Sequence, residues 1–156
     1  MEIKDVLKKT YLFHTLDDEE LELLAARARV ERFPKGSLIF DEGDDGGPLY
    51  VIKTGRVSIA KALDEQGQRS QLTELGQHFF FGEISLFDGG TRSASVEALE
   101  DTECVIIGKE EFWAAMSANP ASAHKVYRAI LSVHSNAIRR ANERFREFLG
   151  SALGGV

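Results

Sequence analysis

From Arg29 onward the apolar residues change from a helical spacing to a period of two, and turn-forming clusters interrupt the pattern at short intervals. Pro34-Lys35-Gly36, the acidic run Asp41-Glu42-Gly43-Asp44-Asp45-Gly46-Gly47, Lys53-Thr54-Gly55 and Asp64-Glu65-Gln66-Gly67-Gln68 each separate short segments rich in Val, Ile, Leu and Phe. Arg56-Val57-Ser58-Ile59-Ala60 alternates cleanly, as a strand with one covered face must. Ser70 to Leu75 returns from a polar tip. Further on, Ser95–Leu99 and Cys104–Ile107 read as the two arms of a hairpin. Strands this short, broken this often, predict a β-sandwich or jelly-roll barrel.

Helices flank that region. Val6 to Val30 reads as helical: Asp17-Asp18-Glu19-Glu20 places acids at a helix start, and Leu21, Leu24, Ala25 and Ala28 follow on one face. Tyr11, Leu12, Phe13 and Leu16 form a short apolar turn before it. Lys109 to Met116 is a short helix halted at Asn119-Pro120. A last helix runs from about Ala121 to Leu149, with Val126, Ile130, Val133, Ala137, Ala141, Phe145 and Phe148 on one stripe, and Gly150 and Gly154-Gly155 are expected to end it. At 1.5 Å per residue it spans about 40 Å, more than a small barrel can cover. The overhang predicts a parallel homodimer through this helix. The expected layout is one domain over residues 1–156: N-terminal helices 1–28, barrel 29–108 and C-terminal helices 109–149.

Composition narrows the function. A net charge of −6 argues against broad nucleic-acid binding. Charge is uneven, however: residues 121–149 hold six basic side chains against Glu143 and Glu147, a local +4 that leaves −10 elsewhere. The one cysteine, Cys104, lies in an apolar strand pattern and reads as a buried small hydrophobe. No apolar run is long enough to span a membrane, and Met1-Glu2-Ile3-Lys4-Asp5 opens no secretory signal, so a cytoplasmic location is expected.

The chemistry concentrates in Phe79 to Ala98, FFFGEISLFDGGTRSASVEA. Gly82 lets backbone approach a ligand, and amides at a short helix start favour an anion. Arg92 supplies a planar fork for phosphate oxygens, with the Ser93 hydroxyl beside it. Glu83 would repel a phosphate and is suited instead to accepting hydrogen bonds from hydroxyls. Anion and hydroxyl sites side by side suggest a nucleotide.

Gly82-Glu83-Ile84-Ser85-Leu86 followed by Arg92-Ser93-Ala94-Ser95-Val96 resembles the phosphate-binding cassette of the cyclic nucleotide-binding domain family. Thr91 stands where that family usually has proline. The resemblance implies a mainly β fold with flanking helices, an eight-stranded double-stranded β-helix (jelly-roll) barrel, and cyclic AMP or cyclic GMP as ligand. It implies Glu83 on the ribose 2′-hydroxyl, Arg92 and Ser93 on the cyclic phosphate, and the backbone around Gly82, Glu83 and Ile84 alongside, with Ser85 and Ala94 completing the site. The base contact is expected from the last helix, with Arg140, Asn136 and Asn142 as candidates.

Other chemistries fare worse. His14, His78, His124 and His134 are scattered, with no His-x-His pair on a strand, so a metal enzyme is not expected. A single cysteine excludes an iron–sulfur cluster. His78 reads as an exposed polar turn rather than a haem ligand. Nucleophile elbow, P-loop and dinucleotide fingerprints are missing. The expected protein is a non-catalytic sensor with no cofactor, working through an unidentified effector protein. The alternative is a degenerate jelly roll acting only as an interaction or dimerisation scaffold. Many bacterial members of the resembled family carry a helix-turn-helix after the long helix, for which the residues up to Val156 leave no room; a stand-alone module without DNA binding is expected, with a piece of a longer protein as the alternative.

Overall fold

The structure, a computed structural model, describes residues 2–153. The chain begins with helix α1 (Ile3–Lys9), a single 3-10 turn (Tyr11–Phe13) and helix α2 (Asp18–Ala25). Asp17 caps α2 by accepting from the Glu20 N–H while the Glu20 carboxylate accepts from the Asp17 N–H, which satisfies two N-terminal donors reciprocally.

Eight strands follow: β1 (Ala28–Phe33), β2 (Leu38–Phe40), β3 (Leu49–Thr54), β4 (Val57–Ala62), β5 (Arg69–Leu75), β6 (Phe80–Phe81), β7 (Ser95–Ala98) and β8 (Thr102–Ile107), with a short helix α3 (Glu83–Asp88) between β6 and β7. They form two antiparallel four-stranded sheets, ordered β1-β8-β3-β6 and β2-β7-β4-β5, in the jelly-roll arrangement.

Side chains from β3 and β8 alternate between two cores. Tyr50, Ile52, Cys104 and Ile106 fill the space between the sheets with Val57, Phe81 and Val96. Leu49, Val51, Val105 and Ile107 face the other way, onto the helices, against Val6, Leu12, Phe13, Leu21 and Phe112. Both faces of these strands are covered, which is why they read as unbroken apolar runs.

Three expectations need correction. The helical reading of Val6 to Val30 runs too far: α2 ends at Ala25, and Ala28, expected on its apolar face, opens β1 and pairs with Ile107 of β8. β7 and β8 are not a hairpin: β7 pairs with β2 and β4, whereas β8 pairs with β1 and β3. The link 99–101 carries the chain from one sheet to the other. The last helix is also longer than expected. After α4 (Lys109–Ala118), helix α5 runs Pro120–Leu153, 34 residues and about 50 Å. Pro120 occupies its first position, where a missing N–H costs nothing. Gly150 does not end α5; it lies inside the helix in open space, at a propensity cost of about 1 kcal/mol. Gly154 and Gly155 lie outside the described residues.

The apolar stripe on α5 also divides in two. Val126 is fully buried and Ile130 is 6% exposed, both within the core shared with the N-terminal helices. Farther along the stripe Phe145 and Phe148 are exposed, as are Leu131 and Ile138, which the expected stripe did not include.

Candidate functional site

Gly82 links β6 to α3 with φ +84, a left-handed conformation that L side chains rarely adopt. Space demands glycine there as well: a Cβ would stand 2.8 Å from Arg92 Nη1 and 2.9 Å from the Pro48 carbonyl. The tight turn ends β6 and starts α3 at Glu83, whose first-turn N–H groups receive no side-chain cap. A second close approach occurs at Gly46, where a Cβ would lie 2.5 Å from the Gly90 carbonyl and 2.8 Å from Ser85 Cβ. The acidic loop is thereby pressed against the cassette.

Arg92 is the centre of the arrangement and is only 4% exposed. Its backbone is laced to the acidic loop: the Arg92 N–H donates to the Asp44 carbonyl at 2.8 Å, and the Gly43 N–H donates to the Arg92 carbonyl at 2.9 Å. Nη1 donates to the Gly82 carbonyl at 3.1 Å and to Ser85 Oγ at 3.0 Å, and Nη2 donates to the Pro48 carbonyl at 3.1 Å. The guanidinium lies over the Phe40 ring at 4.1 Å. A guanidinium has five N–H donors. Nη1 and Nη2 make three bonds here, and among the described residues Nε–H takes part in none, so a donor stays available to an anion. Arg92 makes no ion pair among the described residues; burial lowers its basicity, with Tyr50, Asp44 and Glu83 acting against that. The side chain is fixed, buried, charged and short of an anion.

Glu83 is also enclosed, its side chain 16% exposed. Burial raises its pKa above the usual carboxyl range, opposed by its own backbone N–H, His134 and Arg92. The expected Glu83, Arg92 and Ser93 do converge, but Glu83 and Arg92 do not pair with each other. They line one cavity of about 760 Å³ together with Gly82, Ile84, Ser85 and Ala94. Arg140 and Asn136 reach the same cavity from α5, as does Val133, whereas Asn142 does not. The Ser93 carbonyl accepts from Lys61 Nζ at 2.9 Å.

Sequence reasoning missed several parts. Phe40, at the end of β2, stacks on Arg92, and the Asp44 backbone and the Pro48 carbonyl hold it from the loop that follows, whose acidic part was read only as a turn; the density of glycines there was the available signal. His134 was set aside, yet its Nε2 lies 3.7 Å from Glu83 Oε1. His78 is not an exposed polar turn. It is half-buried, has φ 72, lines the cavity, and its Nε2 is sealed from water with no hydrogen-bond partner among the described residues. Burial, then Lys9, lowers its pKa. Among the described residues no group of three or more His, Cys, Asp or Glu is placed to hold a metal.

The profile of the family described as Cyclic nucleotide-binding domain matches residues 30–119, more than half of the chain. The chain belongs to this family. It is 38% identical over 120 residues to the Cyclic AMP receptor protein of Thermus thermophilus, which covers 77% of this chain and 55% of the relative. It is 34% identical over 110 residues to the cGMP-dependent protein kinase of Plasmodium berghei, covering 70% of this chain but 12% of the kinase. Among solved structures it is similar to the Thermus thermophilus Catabolite Activator Protein, with a TM-score of 0.79, 32% identity, and 89% of this chain and 63% of that one covered. The chain thus spans about half the length of the first of these relatives, and the kinase similarity involves a small part of the kinase. The jelly roll, its flanking helices and the long terminal helix are those of the regulators it resembles.

Proposed function

We propose that this domain is a non-catalytic sensor of cyclic AMP or cyclic GMP, and that it signals occupancy through α5. The observation that carries the proposal is Arg92: a buried guanidinium with no ion pair and no Nε–H partner among the described residues, on the wall of a cavity shared with the enclosed Glu83. A cyclic phosphate supplies the missing anion and a ribose hydroxyl the donor that Glu83 lacks. Ser93 attends the phosphate, the first-turn amides of α3 stand nearby, and Arg140 or Asn136 of α5 meets the base. The terminal helix forms part of the wall, so a ligand that binds one helix position better than another shifts the helix. In this proposal α5 also joins two copies, and an effector protein in the cytoplasm reads its position. Among the described residues no helix is long and apolar enough to cross a membrane.

Thermal unfolding with cyclic AMP and with cyclic GMP tests the reading. A ligand at 100 times its dissociation constant adds about 2.7 kcal/mol of stability. Arg92→Ala should weaken binding by roughly 2–4 kcal/mol, the scale of truncating one side of a desolvated charge pair. Arg92→Lys keeps the charge but loses the fork, and should fall between wild type and Arg92→Ala. Stabilisation by neither nucleotide would make the domain an interaction scaffold instead.

A further inference from the structure

His134 and Glu83 come from distant parts of the chain, and their contact has a function in the site just proposed. Glu83 lines the cavity; His134 does not. The imidazole therefore approaches the carboxylate from outside the ligand space, with Nε2 at 3.7 Å from Oε1 and the His134 side chain 37% exposed. That separation exceeds a hydrogen bond, so a protonated imidazole acts on the carboxylate through charge, with room to tighten by a fraction of an ångström. Arg92 gives Glu83 no direct contact, because its bonds go to Gly82, Ser85 and Pro48. Among the described residues His134 is the only ion-pair partner of Glu83.

A carboxyl in such a place needs a counter-cation. Enclosure favours the protonated form, which gives up the charged acceptor that a ribose hydroxyl donates to most strongly. The backbone that carries the ring is well anchored. Ile130, one turn earlier, is packed in the core, and Tyr11 Oη donates to Ser132 Oγ at 3.4 Å. Resting on the nucleotide reading above, we infer that His134 is the positioning residue for Glu83: when protonated, it favours the ionised carboxylate against burial and orients it toward the sugar. Through this contact α5 senses the ribose end of the site as well as the base end, and the helix is linked to α3 before any ligand arrives.

The test compares cyclic AMP with 2′-deoxy cyclic AMP by isothermal titration, in wild type, His134→Ala, Glu83→Gln and the double variant. His134→Ala should weaken the ribo form about fivefold to tenfold and leave the deoxy form within about twofold, the range for a charge-assisted contact that is partly screened. In the Glu83→Gln background, His134→Ala should cost nothing further. A ligand-free measurement stands beside this: Glu83, followed by the NMR shift of its carboxyl carbon, should titrate higher in His134→Ala than in wild type. Equal losses for both nucleotides, additive effects in the double variant, or an unmoved Glu83 titration would each overturn the inference. If wild type binds neither nucleotide, the nucleotide reading fails and the sugar role fails with it, while the Glu83 titration alone decides whether His134 acts on that carboxylate.

Discussion

His78 adopts a left-handed backbone although it carries a Cβ, at a cost of roughly 1–2 kcal/mol. It also hides a ring nitrogen that has no hydrogen-bond partner among the described residues. The turn does not need the side chain: the His78 N–H donates to the Ile52 carbonyl at 2.8 Å and the Phe79 N–H to the Gly76 carbonyl at 3.2 Å. Both bonds survive in His78→Gly, which removes the conformational cost and the orphaned nitrogen while adding unfolded-state entropy. The variant should gain about 1 kcal/mol, read as a higher urea midpoint at unchanged slope; a lower midpoint would show that the imidazole contributes packing worth more than its strain. At this scale the site was half legible. Gly82 to Ser85 and Arg92 to Ala94 lie in one short stretch whose residue types announce their chemistry. The Pro48 carbonyl and the His134 ring leave no such mark, because a backbone acceptor looks alike in every residue and a partner 51 positions away depends on helix register.

Helix α5 shows what register decides. Val126 and Ile130 belong to the core, so charges placed at Ile130 or Val133 would damage the fold or the cavity before testing any dimer. The uncovered residues Leu131, Ile138 and Phe145 recur every seven positions, with Phe148 one turn beyond. A recurrence of seven is the one a position of the proposed two-helix seam would show. Each aliphatic side chain buried there contributes roughly 1.5–3 kcal/mol. Ile138→Asp combined with Phe145→Asp should therefore give a folded monomer with unchanged helix content, while wild type sediments as a dimer at tens of micromolar. A monomeric wild type, with or without nucleotide, would refute the pairing. The strands were read correctly from their period of two, but that period cannot reveal which sheet a strand joins. A three-residue link between β7 and β8 suits a hairpin and a sheet-to-sheet crossing equally well. Gly150 misled for a related reason: an exposed helix tolerates one glycine when nothing else ends it.

Across the whole molecule, the two ends of the chain are tied together through Glu20. Its carboxylate accepts from Lys125 Nζ at 2.5 Å and from the Ser122 hydroxyl, joining α2 to the start of α5. Burial by itself would raise the Glu20 pKa, but the Asp17 N–H, Lys125 and Ser122 outweigh it and lower the value from 4.5 to about 2. A depressed folded-state pKa means that the stabilisation is complete above the unfolded value and is lost as pH falls from about 4.5 through about 2. The wild-type melting temperature should drop across that window. Glu20→Gln should start roughly 2 kcal/mol less stable at neutral pH and show a shallower acid decline; parallel curves for the two proteins would remove Glu20 as the cause. The structure also hides its one sulfhydryl. Cys104 lies fully buried between the sheets, its thiol pushed up to about 12 by burial and then Glu31. A thiol so placed is invisible to maleimides and nitroxide reagents while the protein stays folded. Cysteine introduced at the exposed Ser151 would thus be the single labelled atom in each copy. One nitroxide there turns the arrangement of two helices into a measured length, short if they run side by side in the same direction and several tens of ångströms longer if they oppose.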